Sequence, residues 1–369
     1  MTHLADASSL VQANAQLPVS WYIEPQVHDI EQQNLFCRSA YYLGHALMVP
    51  NMGDFHAISW LDEAKTIVHS QNGIECLSNI CRHRQAIMLN GRGNTSNIVC
   101  PLHRWTYDLK GNLLGAPHFQ QNPCLKLDSI PLTNWNGLLF TGPRDVLADL
   151  GHIGVMKDLD FKGYIFDRYE ITSYPFNWKT FIEVYLEDYH VAPFHPGLGQ
   201  FVDCNSLQWE FGDWYSIQTV GVHEALNKPG TATYKRWHEQ VLTYNNGTPP
   251  IHGAIWMLYY PNIMIEWYPN VLVISTILPT GPQSCKNIVE FYYPEEIALF
   301  ERDLVEAEQA AYRETAKEDE EICTRMQRGR HALYLQGKNE TGPYQSPLED
   351  GMIHFHEFLH RELDPFLTT

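Results

Sequence analysis

No run of about eighteen apolar residues occurs anywhere in the 369-residue chain, so the sequence offers no transmembrane helix. Basic residues are scarce. Twenty-five lysines and arginines stand against forty-three aspartates and glutamates, a net charge of -18, and that sign opposes nucleic-acid binding. The opening residues Met1-Thr2-His3-Leu4-Ala5-Asp6 lack a basic segment leading into an apolar core, so a cytoplasmic protein rather than a secreted one is expected. There is no internal repeat, no low-complexity segment, and no Gly-x-Gly-x-x-Gly after a strand. A dinucleotide fold of the chain's own is therefore excluded, and any nicotinamide-derived electrons must come from elsewhere. Cysteine is present but scattered, at 37, 76, 81, 100, 124, 204, 285 and 323. In a large chain without a signal sequence, such cysteines read as metal ligands where paired with histidine at short range, and the other six as buried thiols.

What remains is globular: 44% hydrophobic and 18% charged residues, in a chain long enough for two domains. Residues 1–40 are polar apart from Trp21-Tyr22-Ile23 and read as an N-terminal arm packing on the larger domain. Residues 41–142 are short apolar runs cut by turn dipeptides such as Asn72-Gly73, Asn90-Gly91 and Gly111-Asn112, the pattern of a small all-β domain. Residues 143–369 mix helix and strand. A helix is expected from about Asn177 to Tyr189. Strands follow over Ile255–Tyr260, Ile263–Tyr268 and Val271–Leu278, with turns at Pro261-Asn262 and Pro269-Asn270. A long acidic helix runs from Pro294 to about Leu335, and a short amphipathic one from His354 to Leu363. The fold class is α+β: a small all-β domain inserted in or preceding a larger domain with an antiparallel sheet and covering helices.

Two Cys/His pairs carry the first chemical signal, Cys81-x-His83 and Cys100-x-x-His103. Two thiolates and two imidazoles suit either tetrahedral zinc or a two-iron, two-sulfur cluster in which histidines replace two cysteines on one iron. Most zinc fingers separate a cysteine pair from a histidine pair, whereas each loop here carries one of each. Pro101 and Trp105-Thr106-Tyr107-Asp108 would give the second loop a rigid start and an aromatic lid.

A second signal lies in the segment from Asn177 to Pro196. On one helix Glu183, Glu187 and His190 would share a face, and Pro193 would break the helix so that His195 swings back toward His190. Two histidines and one carboxylate make the facial set of non-haem Fe(II) oxygenases. The acidic run Glu318-Asp319-Glu320-Glu321 can supply the acid. At about 100° per residue Asp319 falls inside the apolar stripe Tyr312, Ile322, Cys323 and Met326, and an acid there needs a partner. Glu318 stays open as an alternative, and Glu183 reads as a structural carboxylate.

Cys81-Arg82-His83-Arg84 with Cys100-Pro101-Leu102-His103-Arg104-Trp105 resembles the Rieske domain. Asn177-Trp178-Lys179 through Glu187-x-x-His190-x4-His195, with Glu318-Asp319-x-x-Ile322-Cys323, resembles the catalytic domain of ring-hydroxylating oxygenase alpha subunits. Three departures stand out: Gln85 and Arg104, where the family usually has glycine, and Glu187, where many relatives have aspartate. The resemblance implies a [2Fe-2S] cluster on Cys81, His83, Cys100 and His103, and an Fe(II) on His190, His195 and Asp319. It makes Glu187 the acid that bridges a cluster histidine, His103, to His190. It also implies electrons from NAD(P)H through a partner reductase, and a homotrimer in which cooperating centres lie on neighbouring subunits.

On that basis the chain is expected to hydroxylate a small organic substrate with O2, an aromatic compound in the first instance. The tail, Met326-Gln327-Arg328-Gly329 and His354-Phe355-His356-x-x-Leu359-His360, with Tyr260-Pro261-Asn262, resembles the choline, betaine and carnitine oxygenase branch. A quaternary ammonium substrate is thus the alternative, suited to an aromatic cage. A non-catalytic Rieske electron carrier is the alternative of another class. Trp256, Tyr259, Tyr260, Trp267 and Tyr268 are assigned to core before pocket.

Overall fold

The computed structural model describes residues 16–61, 64–154 and 161–367. Contacts divide the chain into two compact units, Ala40–Gly151 and a second that joins the residues up to Ser39 with those from His152 onward.

The smaller unit is all strand and turn apart from one-turn helices. A five-stranded antiparallel sheet runs in the order Arg92–Asn94, Asp54–Ala57, Lys65–Ser70, Gly73–Ser78, Ser129–Ile130. A three-stranded sheet of Ile98–Val99, Thr106–Tyr107 and Leu113–Gly115 supplies the second of the two Cys/His loops. Val68, Leu77, Met88, Ile98 and Tyr107 pack together with Cys81 and Cys100 into one core. Both cysteines are thereby fixed by hydrophobic packing on the inner side of their loops.

In the larger unit seven antiparallel strands form one sheet in the order Tyr164–Tyr174, Ser284–Pro294, Val271–Gly281, Ile263–Tyr268, Ala254–Tyr259, Tyr215–Val222, Val202–Gly212. The turns at Pro261-Asn262 and Pro269-Asn270 fall where the sequence places them. The Ala254–Tyr259 strand is buried at every position and Ile263–Tyr268 at all but one, so both faces of the sheet centre are covered. The helices Trp178–Tyr185, Ala232–Tyr244, Arg302–Leu335 and Asp350–Leu367 complete the unit.

Three helices differ from the expectation, the last of them running over Asp350–Leu367 rather than His354–Leu363. The helix opening at Trp178 stops at Tyr185, so Glu187 and His190 do not share it with Glu183. The cause is tertiary: Leu186 closes the helix, and the Asp188 N–H donates to the Leu348 carbonyl at 2.9 Å instead of continuing the ladder. Pro193 is not the breaker. It sits in the first turn of a second short helix, Val191–Phe194, where its missing N–H has no intrahelical partner to lose. The long acidic helix is likewise two, Glu295–Phe300 and Arg302–Leu335, parted at Glu301.

The arm residues reach the larger unit's core through buried ionic contacts. Lys179 Nζ pairs with Glu31 Oε1 at 2.5 Å, and the Trp178 indole donates to Glu31 Oε2 at 2.9 Å. Glu183 accepts from Tyr22 and from Arg330 Nη2 (2.5 Å), and its Oε1 lies 3.0 Å from His356 Nε2. Burial alone would raise the Glu183 carboxyl, but Arg330 and His356 override it and hold it down at about 2. An unfolded glutamate titrates near 4.3. The contribution to stability is therefore complete above about pH 4.3 and is lost as pH falls toward about 2. In urea unfolding between pH 6 and pH 3, wild-type protein is expected to lose more stability than Glu183→Gln; equal losses would remove Glu183 from the acid response.

The sequence expectation for the cysteines is corrected in part. Cys76, Cys285 and Cys323 are buried, but Cys37 and Cys124 are exposed and Cys204 is half-buried. Cys37 lies in the short turn Phe36–Arg38, and Cys124 in a loop. Neither position faces a core.

Candidate active site

The two Cys/His loops are built alike. Cys81 N–H donates to the Ala86 carbonyl (2.9 Å) and Gln85 N–H to the Cys81 carbonyl (3.0 Å). At the same offsets, Cys100 N–H donates to Trp105 (2.8 Å) and Arg104 N–H to Cys100 (3.1 Å). Each turn closes on a residue in the left-handed region, Gln85 at φ 55° and Arg104 at φ 60°. These are the two positions where glycine is usual, and the geometry gives the reason. A side chain there costs about 1–2 kcal/mol of backbone strain, which this chain bears twice.

Between the loops, the His83 and His103 rings stand 4.6 Å apart, and Trp105 stacks on His83 at 4.9 Å. The Arg82 N–H donates to the Tyr107 hydroxyl (3.2 Å), which lies 3.7 Å from Cys81 Sγ. His83 Nδ1 is buried with no hydrogen-bond partner. Two buried thiols, two adjacent imidazoles and an orphaned ring nitrogen fit the ligand set of a two-iron cluster.

In the other unit the sequence-predicted His190, His195 and Asp319 converge. The two Nε2 atoms are 2.9 Å apart, and Asp319 Oδ1 lies 3.0 Å from His195 Nε2 and 3.7 Å from His190 Nε2. These three atoms form a group that could hold a metal ion. Donors about 2.1 Å from one ion, at right angles, would be about 3 Å from one another. Although it faces two imidazoles, Asp319 Oδ1 is buried without an aligned hydrogen bond. Residue set and spacing both fit a metal.

Carboxylates stand behind each imidazole. Glu318 Oε2 is 2.7 Å from His195 Nδ1, which orients the ring with Nε2 inward. Glu187 Oε1 is 2.6 Å from His190 Nδ1, and its Oε2 accepts from the His190 backbone N–H at 3.0 Å. Glu318 thus meets the back of His195, while Asp319 meets the shared point. Burial would pull His190 down, but Asp319 and Glu187 outweigh it and raise it to about 10. Burial would raise Asp319, but the two histidines hold it at about 2. Three acids around two imidazoles leave a surplus of negative charge, the electrostatics of a cation site.

A cavity opens onto this group. Its wall includes Tyr185, Trp237, Trp256, Tyr268 and Tyr312. It also holds five carboxyl side chains, Glu187, Asp188, Glu266, Glu308 and Asp319, and, among the described residues, no lysine or arginine. Burial pushes Glu266 up to about 7 and Glu308 to about 8.

Of the strand aromatics, Trp256 and Tyr268 line the cavity, while Tyr259 and Tyr260 are core. The tail histidines are scaffold: His354 Nδ1 lies 2.7 Å from the Tyr260 hydroxyl, and His356 joins Tyr344 to Glu183. Glu266, Glu308 and Asn287 were not singled out from sequence. The signal was present for Glu266, an acid inside the apolar run Ile263-Met264-Ile265-Glu266-Trp267-Tyr268.

Comparison with known proteins adds the following. The family "Ring hydroxylating alpha subunit (catalytic domain)" matches residues 157–364, and "Rieske [2Fe-2S] domain" matches residues 21–131. A putrescine 2-hydroxylase of Ralstonia nicotianae is 61% identical over 364 residues, 99% of this chain and 100% of that protein. A putrescine 2-hydroxylase of Bordetella bronchiseptica is 52% identical over 376 residues, 98% of this chain and 87% of that one. The solved quaternary ammonium Rieske monooxygenase CntA, with inhibitor bound, superposes at a TM-score of 0.76 with 20% identity, covering 95% of this chain and 97% of its own. That likeness is one of fold.

Proposed function

Because the chain belongs to the family of Rieske non-haem iron oxygenase alpha subunits, we propose that it hydroxylates a short aliphatic diamine of the putrescine type at carbon 2. The carrying observation is the cavity: aromatic walls and, besides the two acids that meet His190 and His195, three buried carboxyl groups, Asp188, Glu266 and Glu308, with no lysine or arginine in the described lining, suit an apolar chain with ammonium ends. The substrate named for relatives at 61% and 52% identity supports the same class. The aromatic substrate expected first from sequence gives way, since a neutral ring would leave these acids unpaired. The quaternary ammonium alternative is second, its solved example sharing 20% identity and hence fold alone.

The family's cofactors are a Rieske [2Fe-2S] cluster and a mononuclear iron, and its alpha subunits work with a reductase and as multimers. When bound, the iron supplies oxygen activation and the cluster supplies electrons one at a time. We assign Cys81, His83, Cys100 and His103 to the cluster, and His190, His195 and Asp319 to the iron. Glu318 and Glu187 fix the two ring orientations from behind. Glu187 is also the acid that would link His190 to His103 of the partner subunit in a homotrimer. In balance, one atom of O2 enters the C–H bond, and the other leaves as water with two electrons and two protons. Tyr185, Trp256 and Tyr268 exclude water around the alkyl chain. Among the described residues no helix is long and apolar enough to cross a membrane, and we place the reaction in the cytoplasm.

Reductase-coupled product formation from putrescine, choline, carnitine and naphthalene tests the reading. Putrescine is expected to give the highest kcat/KM by at least about tenfold, roughly the effect of 1.4 kcal/mol. A preference for choline or naphthalene would overturn it.

A further inference from the structure

The described buried acids are of two kinds, those answered by a cation and those held by hydroxyls, and Glu266 in the cavity is of the second kind. Glu31 pairs with Lys179, and Glu183 with Arg330. Glu266 is 3% exposed on a central strand, and its hydrogen-bond partners are hydroxyls alone. Ser275 (3.0 Å) and Tyr312 (3.1 Å) donate to its Oε1, and Tyr268 (3.0 Å) to its Oε2. Among the described residues no lysine, arginine or histidine forms an ion pair with it. Burying a carboxylate without a cation is costly, and a residue that only packed the sheet would be cheaper as leucine or glutamine. The charge is useful if a cation arrives.

A second observation in the same cavity points to a ligand with N–H groups. Asn287 is 3% exposed and lines the cavity, and its Oδ1, which can only accept, has no hydrogen-bond partner. Glu266 lines the same cavity as His190, His195 and Asp319. A four-carbon diamine with carbon 2 near those three residues carries its far nitrogen about 4 Å further along the chain by ordinary bond lengths, inside the cavity that Glu266 and Asn287 line.

Resting on the diamine reading above, we infer that Glu266 receives the substrate's distal ammonium group and selects a primary amine over a quaternary one. A primary ammonium can donate hydrogen bonds to the carboxylate and to Asn287 Oδ1. A trimethylammonium has no N–H to give, and its methyl groups hold the charge away from both acceptors. Tyr268 and Tyr312 act on the ammonium group as positioning residues, since their hydroxyls fix the carboxylate.

Calorimetric titration of the holoenzyme without reductase tests this. The probes are putrescine and 1,4-butanediol, a neutral molecule of similar shape, against wild type, Glu266→Gln and Glu266→Asp. Glu266→Gln keeps the volume, and an unchanged far-UV circular dichroism spectrum with about three irons per chain reports that both units fold. It should weaken putrescine by about thirtyfold or more while leaving the diol unchanged, so that the preference for the diamine collapses. Glu266→Asp keeps the charge and should retain part of that preference. If Glu266→Gln binds putrescine as wild type does, or weakens both probes equally, the assignment of Glu266 falls and the diamine reading stands. If wild-type protein binds no putrescine, the diamine reading itself falls and this inference goes with it.

Discussion

Replacing Glu187 by alanine is expected to leave both metal centres loaded and the Rieske absorption intact, yet to lower reductase-coupled turnover by more than about 100-fold. Glu187 contacts His190 twice, at Nδ1 (2.6 Å) and at the backbone N–H (3.0 Å). Loss of such a partner behind a ligand histidine costs about 10–100-fold in affinity or activity. Orientation alone therefore sets the ceiling for a residue with no further role. A link between the cluster of one subunit and the iron of the next would add to that loss. It would also show in a second reading, the rate at which the reduced cluster is reoxidised when substrate and O2 are mixed in. Glu187→Gln, which can still accept from the His190 N–H, should fall between wild type and Glu187→Ala. Normal cluster reoxidation in an iron-loaded Glu187→Ala protein would move the electron link elsewhere.

Removing the Asp319 carboxylate has the second large effect. Asp319→Ala should lose the mononuclear iron, taking the protein from about three irons per chain to about two, with the cluster spectrum unchanged. Its Oδ1 faces both Nε2 atoms at 3.0 and 3.7 Å, so no other group described at that point replaces it. Glu318→Ala removes the carboxylate 2.7 Å from His195 Nδ1, and is expected to weaken iron about 10–100-fold without abolishing uptake. Iron analysis after dialysis against graded chelator separates the two. The reverse ranking would make Glu318 the ligand and Asp319 the supporting acid.

These tests rest on features that were unequally legible in the sequence. The meander from Ala254 to Gly281 could be read because its turns carry Pro-Asn and its strands are mostly apolar; periodicity and turn chemistry are local. The Cys/His loops could be read because ligand identity and spacing are local too. The end of the helix at Tyr185 could not, since a hydrogen bond from Asp188 to Leu348, 160 residues away in the chain, takes the place of the next helical turn. Gln85 and Arg104 were visible as departures, but only backbone angles of 55° and 60° explain why glycine is usual there.

Glu266 illustrates the other limit. An acid in a strand of isoleucine, methionine and tryptophan is conspicuous, but sequence does not say whether a cation answers it. Three hydroxyl donors and no paired cation among the described residues turn an oddity of composition into a candidate specificity determinant. The same holds for the choline-like tail, whose histidines the structure ties to Tyr260, Tyr344 and Glu183 as scaffold. Family resemblance there reported the frame and not the substrate.

Turnover of putrescine under labelled dioxygen, with reductase and NADH, addresses the central claim most directly. The account predicts a mono-hydroxylated diamine whose new hydroxyl, on carbon 2, carries the label from O2. Unchanged putrescine alongside turnover of another amine, or a hydroxyl whose oxygen came from water, would contradict it.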